Sequence, residues 1–211
     1  MLHALVVSNG IVGLNESYVS NELVDYRIEV ITADFDPDLS GLDLLIVPNG
    51  SDHVAMLKIK DQVAAFLDQG NTVCCFCGWF TNWVPGNQWI HDNRKATKDV
   101  FLSVRTDRYG LFDGLDLDKF NYNNGITGWW ACGYIKASPG ADVVLEDTWH
   151  RPIMVLDEMT TNGLMILTAS GPVGDYRRRP GNDDGIAGLN QHILQLAAQR
   201  KETHETNRIG V

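Results

Sequence analysis

Four short apolar runs in the first eighty residues constrain the fold of this chain more than any other feature. The runs are residues 3–8, 28–33, 43–48 and 72–77. A near-continuous apolar run of this length is typical of a strand that is buried on both faces of a sheet. Between the runs, residues 15–26 and 51–70 carry apolar side chains at helical spacing. Strands that alternate with helices in this way predict βαβ units and a parallel sheet.

The whole pattern predicts a three-layer α/β fold. Its doubly wound, mainly parallel, flavodoxin-like sheet is joined by an antiparallel hairpin near the C-terminus. The hairpin prediction rests on apolar runs at 152–158 and 164–169, which flank an Asn162-Gly163 turn.

The length of 211 residues fits one domain. We predict a single α/β domain over 1–200, with a Trp-rich insertion at about 79–140. A last helix is predicted over 183–200, and the polar tail over 201–211 is expected to fray.

Charge and composition exclude several kinds of partner. The chain has 27 acidic and 17 basic residues, a formal net charge of −10, which repels a nucleic-acid backbone. No basic leader precedes the first apolar run, and no run approaches the roughly 18 residues of a membrane span. We therefore expect a cytoplasmic protein without a membrane partner, whose cysteines are thiols. Without a G-x-G-x-x-G loop or a second cysteine pair, we predict no cofactor and no metal.

The carboxyl ends of parallel strands are where ligands bind in an open α/β sheet, so a small-molecule ligand is expected there. Cys77 ends a buried strand and is followed by Gly78 and a predicted helix. Helix N–H groups at such a turn lower a cysteine pKa and stabilise an oxyanion. Cys77 is therefore the candidate nucleophile.

The cysteines permit two other interpretations. Cys74 and Cys77 match C-x-x-C, a pattern that redox and zinc sites use when the thiols converge. Alternation along a strand separates these two thiols onto opposite faces. The thiols could also be small core-filling side chains, because free cysteine is often fully buried.

Three segments resemble a known superfamily. They are Leu44-Leu-Ile-Val-Pro-Asn-Gly50, Phe66-Leu-Asp-Gln-Gly-Asn-Thr-Val-Cys-Cys-Phe-Cys-Gly78 and Tyr109-Gly-Leu-Phe-Asp-Gly-Leu115. With the order of elements, they resemble the class I glutamine amidotransferase-like superfamily and its ThuA-like and PfpI-like members. The resemblance implies that Cys77 lies at a nucleophile elbow and that Gly50 and Gly78 donate N–H groups to an oxyanion. It also matches Glu16 to the acidic residue that hydrogen-bonds the nucleophile in the PfpI-like group.

This chain departs from the superfamily pattern at two places. The elbow G-x-C-x-G is replaced by Cys75-Phe-Cys-Gly-Trp79, and no histidine follows the late strand at 169–174. His53 and His91 are the remaining candidates for a base that could serve Cys77.

Aromatic and basic side chains near the predicted crevice suggest ligand contacts. Trp79 and Trp83 could stack on a sugar, pack the insertion against the core, or form an oligomer interface. Arg177, in an arginine triplet, could clamp a carboxylate or phosphate, or pair with nearby aspartates on the surface.

Two functions follow from these residues. The first is a thiol-dependent hydrolase or amidase that acts on a small polar or carbohydrate-related molecule. The second is a non-catalytic small-molecule-binding or assembly module that kept the fold and lost the catalytic histidine. In both cases a homo-oligomer is expected.

Overall fold

The computed structural model describes residues 1–10, 14–92, 94–121, 131–171 and 183–209. Within these residues the chain forms ten strands and four α-helices. The strands are β1 Leu2–Ser8, β2 Val24–Val30, β3 Leu44–Val47, β4 Thr72–Cys75, β5 Gln88–His91, β6 Ser103–Val104, β7 Gly133–Lys136, β8 Asp142–Glu146, β9 Pro152–Asp157 and β10 Leu164–Thr168. The helices are α1 Leu14–Ser17, α2 His53–Lys58, α3 Lys60–Asp68 and α4 Ile186–Ile209.

Eight of the strands form one sheet in the order β2-β1-β3-β4-β10-β9-β8-β6. The first five are parallel to one another, and β9, β8 and β6 continue the sheet in antiparallel pairing. The strands β5 and β7 form a separate antiparallel pair, which we call the flap. The predicted α/β class with a mainly parallel central sheet is therefore confirmed.

The centre of the sheet carries the core. Every residue of β3, β4 and β10 is buried, as a strand covered on both faces requires. The predicted C-terminal hairpin is also confirmed, because β9 and β10 pair antiparallel with Leu156 opposite Ile166. The other edge of β10 pairs in parallel with β4, where Cys74 lies opposite Ile166.

The predicted helix over 15–26 is wrong beyond its first turn. The α1 helix ends at Ser17, and β2 already begins at Val24. The Asn21 side chain accepts hydrogen bonds from the backbone of Leu23 and Val24, at 2.8 and 3.1 Å. Such side-chain bonds compete with helix formation and favour a turn, after which β2 pairs with β1.

The last helix is longer than predicted. It runs to Ile209 instead of ending at Arg200, so residues 201–209 are helical rather than frayed. Lys201 donates to the Asp43 carboxylate at 3.0 Å and to the Met1 carbonyl at 3.1 Å, which ties this end of α4 to the sheet.

No helix in the described ranges combines the length and apolarity needed to cross a bilayer.

Candidate functional site

Glycine turns follow three of the parallel strands where their carboxyl ends meet. Gly10, Gly50 and Gly78 have φ values of 76°, 75° and 99°, a region in which a side chain is strained. The Gly50 nitrogen lies 3.7 Å from the position that a Cβ on Gly78 would take. The structure thus brings together the two glycines that the sequence nominated as oxyanion donors.

The Asn9 side chain joins the loop after β1 to the loop after β3. Its Nδ2 atom donates to the Gly50 carbonyl, and its Oδ1 atom accepts from the Asp52 backbone N–H at 3.0 Å. The Asp52 carboxylate in turn caps α2 by accepting from Val54 and Ala55. This chain of bonds fixes His53, the first residue of α2, beside the end of β4.

Cys77 lies beyond the end of β4 but is not followed by a helix. Its N–H donates to the Ser170 carbonyl at 3.2 Å, and the chain then continues through turns until β5 begins at Gln88. The turns are closed locally, for example by the Asn87 N–H on the Pro85 carbonyl at 2.8 Å. The predicted strand-to-helix elbow is therefore wrong, because no helix begins directly after Cys77.

The thiols of β4 and its extension are buried. Cys77 exposes 8% of its surface, and Cys74 and Cys75 expose 2% and 1%. Burial, with a smaller contribution from Cys132, raises the pKa of Cys77 to about 12, and burial raises the pKa of Cys74 and of Cys75 as well. The expected lowering of the Cys77 pKa is wrong, because the thiol loses hydration and gains no cation or helix N–H in return.

A cavity of only about 10 Å³ adjoins Cys77. His53, Gly78, Trp79 and Trp83 line it with Cys77, so five nominated residues do come together. No described hydrogen bond joins His53 to the thiol; instead His53 Nδ1 and Trp79 Nε1 are buried without a partner. The space is that of about one water molecule and does not admit a substrate.

Of the other nominated residues that the structure describes, Glu16 and Gly50 do not line this pocket. Glu16 is exposed in α1 and makes no described hydrogen bond to Cys77. Arg177 lies outside the described residues.

Trp79 and Trp83 expose 4% and 2% of their surfaces, so neither offers a free face for stacking on a ligand.

Four aromatic rings lie together at this edge, and we call them the aromatic cluster: His53, Phe80, Trp89 and His91. The Phe80 ring lies 5.2 Å from the His53 ring and meets Trp89 edge-on at 4.9 Å. His91 stacks on Trp89 at 5.5 Å. Phe80 is 62% exposed, although sequence reasoning did not single it out; its only signal was its position after Trp79 in a turn-rich segment.

The flap positions Trp89 and His91. Just after β5, Asp92 accepts a hydrogen bond from Arg151 at 3.2 Å, and Arg151 also bonds Asp147 at 2.7 Å. The Arg151 guanidinium lies over the rings of Tyr134 and Trp149, at 5.3 and 5.2 Å. These contacts anchor the flap to the turn between β8 and β9.

Larger cavities lie away from Cys77. One of about 300 Å³ is lined by Asp43, Asn71, Lys201 and His204 near the amino ends of β3 and β4. Another of about 510 Å³ lies between the loop 36–41 and α3. In the part of the chain that the structure describes, no three His, Cys, Asp or Glu side chains are grouped to hold a metal ion.

Comparison with known proteins shows the fold but no family. No protein-family model matches the chain, and no curated protein matches it. Among solved structures, the Cytoplasmic Protein STM3548 from Salmonella typhimurium is 12% identical with a TM-score of 0.61, over 93% of this chain and 98% of its own. The Cytoplasmic Protein STM1381 from Salmonella typhimurium LT2 is 9% identical with a TM-score of 0.55, over 93% and 99%.

A third similar structure belongs to a much longer protein. It is the beta-galactosidase from Bacillus circulans sp. alkalophilus, which is 16% identical with a TM-score of 0.54. The match covers 91% of this chain but only 30% of that enzyme. At these identities the likeness establishes the α/β fold only, and any activity must be inferred from the residues of the site.

Proposed function

We propose that the protein is a non-catalytic ligand-binding module with a class I glutamine amidotransferase-like fold. The strand order β2-β1-β3-β4-β10 supports a flavodoxin-like, three-layer arrangement, with α2 and α3 in the crossover from β3 to β4. The glycine turns after β3 and β4, at Gly50 and Gly78, support the same ancestry.

The burial of Cys77 is the observation that carries this function. A nucleophilic thiol must reach its substrate as a thiolate, with a base or a positive charge beside it. Cys77 instead is 92% buried, has a raised pKa and adjoins a cavity the size of one water molecule. On this proposal Cys77 lies at the nucleophile position of the fold, but it lacks the substrate access and the ionised thiol that a nucleophile needs.

A second candidate function is a thiol-dependent hydrolase or amidase. It is favoured by the pairing of Gly50 and Gly78 near Cys77 and by the presence of His53 in the same cavity. It requires the segment after Cys77 to move away, so that Trp79 and Trp83 uncover the thiol.

Alkylation of the native protein distinguishes the two functions. Iodoacetamide at neutral pH is expected to modify the exposed Cys132 and to modify Cys77 more than about 100-fold more slowly, because few Cys77 thiols are ionised. Peptide mass spectrometry gives both rates in one sample, and the chain unfolded in guanidinium gives the accessible reference. If Cys77 reacts as fast as Cys132 in the native protein, the non-catalytic function is wrong.

A further inference from the structure

We propose that the aromatic cluster is a binding site for a neutral saccharide, with Phe80 as the ring on which a pyranose stacks. This inference rests on the proposed binding function and names its ligand class. It uses Phe80, His53, Trp89 and His91, and it does not require the Cys77 cavity to open.

Phe80 has the geometry of a platform. Its ring is held from two sides, by His53 at 5.2 Å and by Trp89 at 4.9 Å, yet 62% of the residue remains exposed. An aromatic side chain that is fixed at its base and open on top provides a large contact area with little loss of side-chain freedom on binding. The ring-shaped, C–H-bearing face of a pyranose fits such a surface.

Unpartnered polar atoms on the two rings that flank Phe80 favour a ligand that carries hydroxyl groups. Trp89 Nε1 and His53 Nδ1 are buried and have no hydrogen-bond partner in the described structure, and Trp89 is 92% buried. A buried N–H without an acceptor is costly and rare. Phe80 contacts both rings, so a sugar stacked on Phe80 brings hydroxyl groups next to the side chains that carry these two atoms.

The charge and the donor chemistry around the cluster disfavour two other classes of small ligand. The described cation–ring contacts lie over Trp149, Tyr134 and Tyr109, and none lies over the aromatic cluster. No described lysine or arginine therefore lies over these rings, and the net charge of −10 disfavours an anionic ligand. An organic cation would satisfy the ring faces but not the indole N–H of Trp89, which is a donor and needs an acceptor.

Ligand-detected NMR and tryptophan fluorescence titrations of the full chain test the inference. The probes are glucose, galactose, mannose, lactose and cellobiose, with choline and adenosine as competitors of other classes. At least one saccharide is expected to bind, and Phe80→Ala is expected to weaken it roughly fivefold to tenfold while Phe80→Tyr retains it. Trp89→Phe, which keeps a ring but removes the N–H, is expected to weaken binding as well.

Phe101→Ala is the matched control. Phe101 is 54% exposed in the same insertion, and its contact with Thr148 is made by its backbone N–H, so the substitution leaves that bond intact. Binding by Phe101→Ala equal to that of the unsubstituted chain supports the assignment. Absence of saccharide binding, or equal loss in both alanine variants, overturns it.

The result is independent of the alkylation of Cys77. Choline or adenosine binding that depends on Phe80, with no response to sugars, refutes the saccharide assignment and leaves the binding module standing. A reactive Cys77 together with Phe80-dependent saccharide binding refutes the non-catalytic function and leaves the saccharide site standing.

Discussion

Two buried polar clusters of this protein differ in how fully their hydrogen bonds are made. At the turn between β9 and β10, Asp157 is fully buried and accepts bonds from Asn87, Ser138 and Thr160 at 2.7, 2.5 and 2.5 Å. Its second oxygen accepts from the backbone N–H groups of Met159 and Thr160 at 2.9 and 3.0 Å. Among the side chains that line the Cys77 cavity, His53 Nδ1 and Trp79 Nε1 have no hydrogen-bond partner in the described part of the chain.

The difference distinguishes a structural cluster, whose polar atoms are bonded, from one with unsatisfied polar atoms. The Asp157 cluster joins the hairpin to the Ser138 turn and to the segment before β5, and no polar atom of its carboxylate is left over. The cavity and the aromatic cluster at the other end of the sheet carry buried ring nitrogens that no described residue bonds. Buried polar atoms of that second kind are the ones that a water molecule or a ligand can bond.

The largest effect is expected from Asp157→Ala. The substitution removes the acceptor of five donors, and the Asn87 and Ser138 side chains among them are buried with Asp157. We expect the free energy of unfolding to fall by about 3 kcal/mol or more. Urea denaturation followed by circular dichroism measures the change. A variant as stable as the unsubstituted chain would show that this cluster does not hold the hairpin.

A pair of one-atom deletions compares the two clusters directly. Ser138→Ala removes a hydroxyl that donates to Asp157 and is expected to cost about 1–2 kcal/mol of unfolding free energy. Cys77→Ala removes a sulfur whose described contacts include no hydrogen bond and is expected to cost about 1 kcal/mol or less, from lost packing. Both side chains are at least nine-tenths buried, so burial is matched between the variants. The reverse order in urea denaturation would refute the comparison.

A smaller effect is expected in the dependence of stability on pH. Burial alone would raise the pKa of Asp157, but the hydrogen bonds from Ser138, Thr160 and Asn87 outweigh it and lower the pKa below the ordinary 3.8. The carboxylate therefore stabilises the fold above about pH 4, and this contribution is lost as the pH falls from 3.8 through the lower folded value. Asp157→Asn is expected to lack this part of the acid dependence. Parallel loss of stability with falling pH in both proteins would contradict the assignment.

The sequence predicted the centre of the sheet well because burial on both faces leaves a local signature. The apolar runs at 43–48, 72–77 and 164–169 each became a strand or its extension. The predicted helix over 15–26 was wrong because the Asn21 side chain bonds the nearby backbone and because β2 pairs with the edge of β1. The helical spacing of apolar residues contains no information on either interaction.

The candidate site was predictable only in part. Cys77, His53, Trp79 and Trp83 were nominated and do share one cavity, since all follow strands that end at the same edge. Burial of the thiol and the role of Phe80 depend on contacts between distant parts of the chain, such as the one from Phe80 to Trp89 on the flap. Periodicity carries no information on such contacts.

The pairing of β10 with β4 also affects the order in which the protein folds. These neighbours are joined at Cys74 and Ile166, so most of the chain must be made before the centre of the sheet can close. Loop-closure entropy makes such distant pairing slow, and until it occurs the free edge of β4 presents unpaired backbone N–H and C=O groups, while its thiols and apolar side chains lack the cover that β10 brings. Newly synthesised chains are accordingly most prone to aggregation and to oxidation in the interval before β10 arrives.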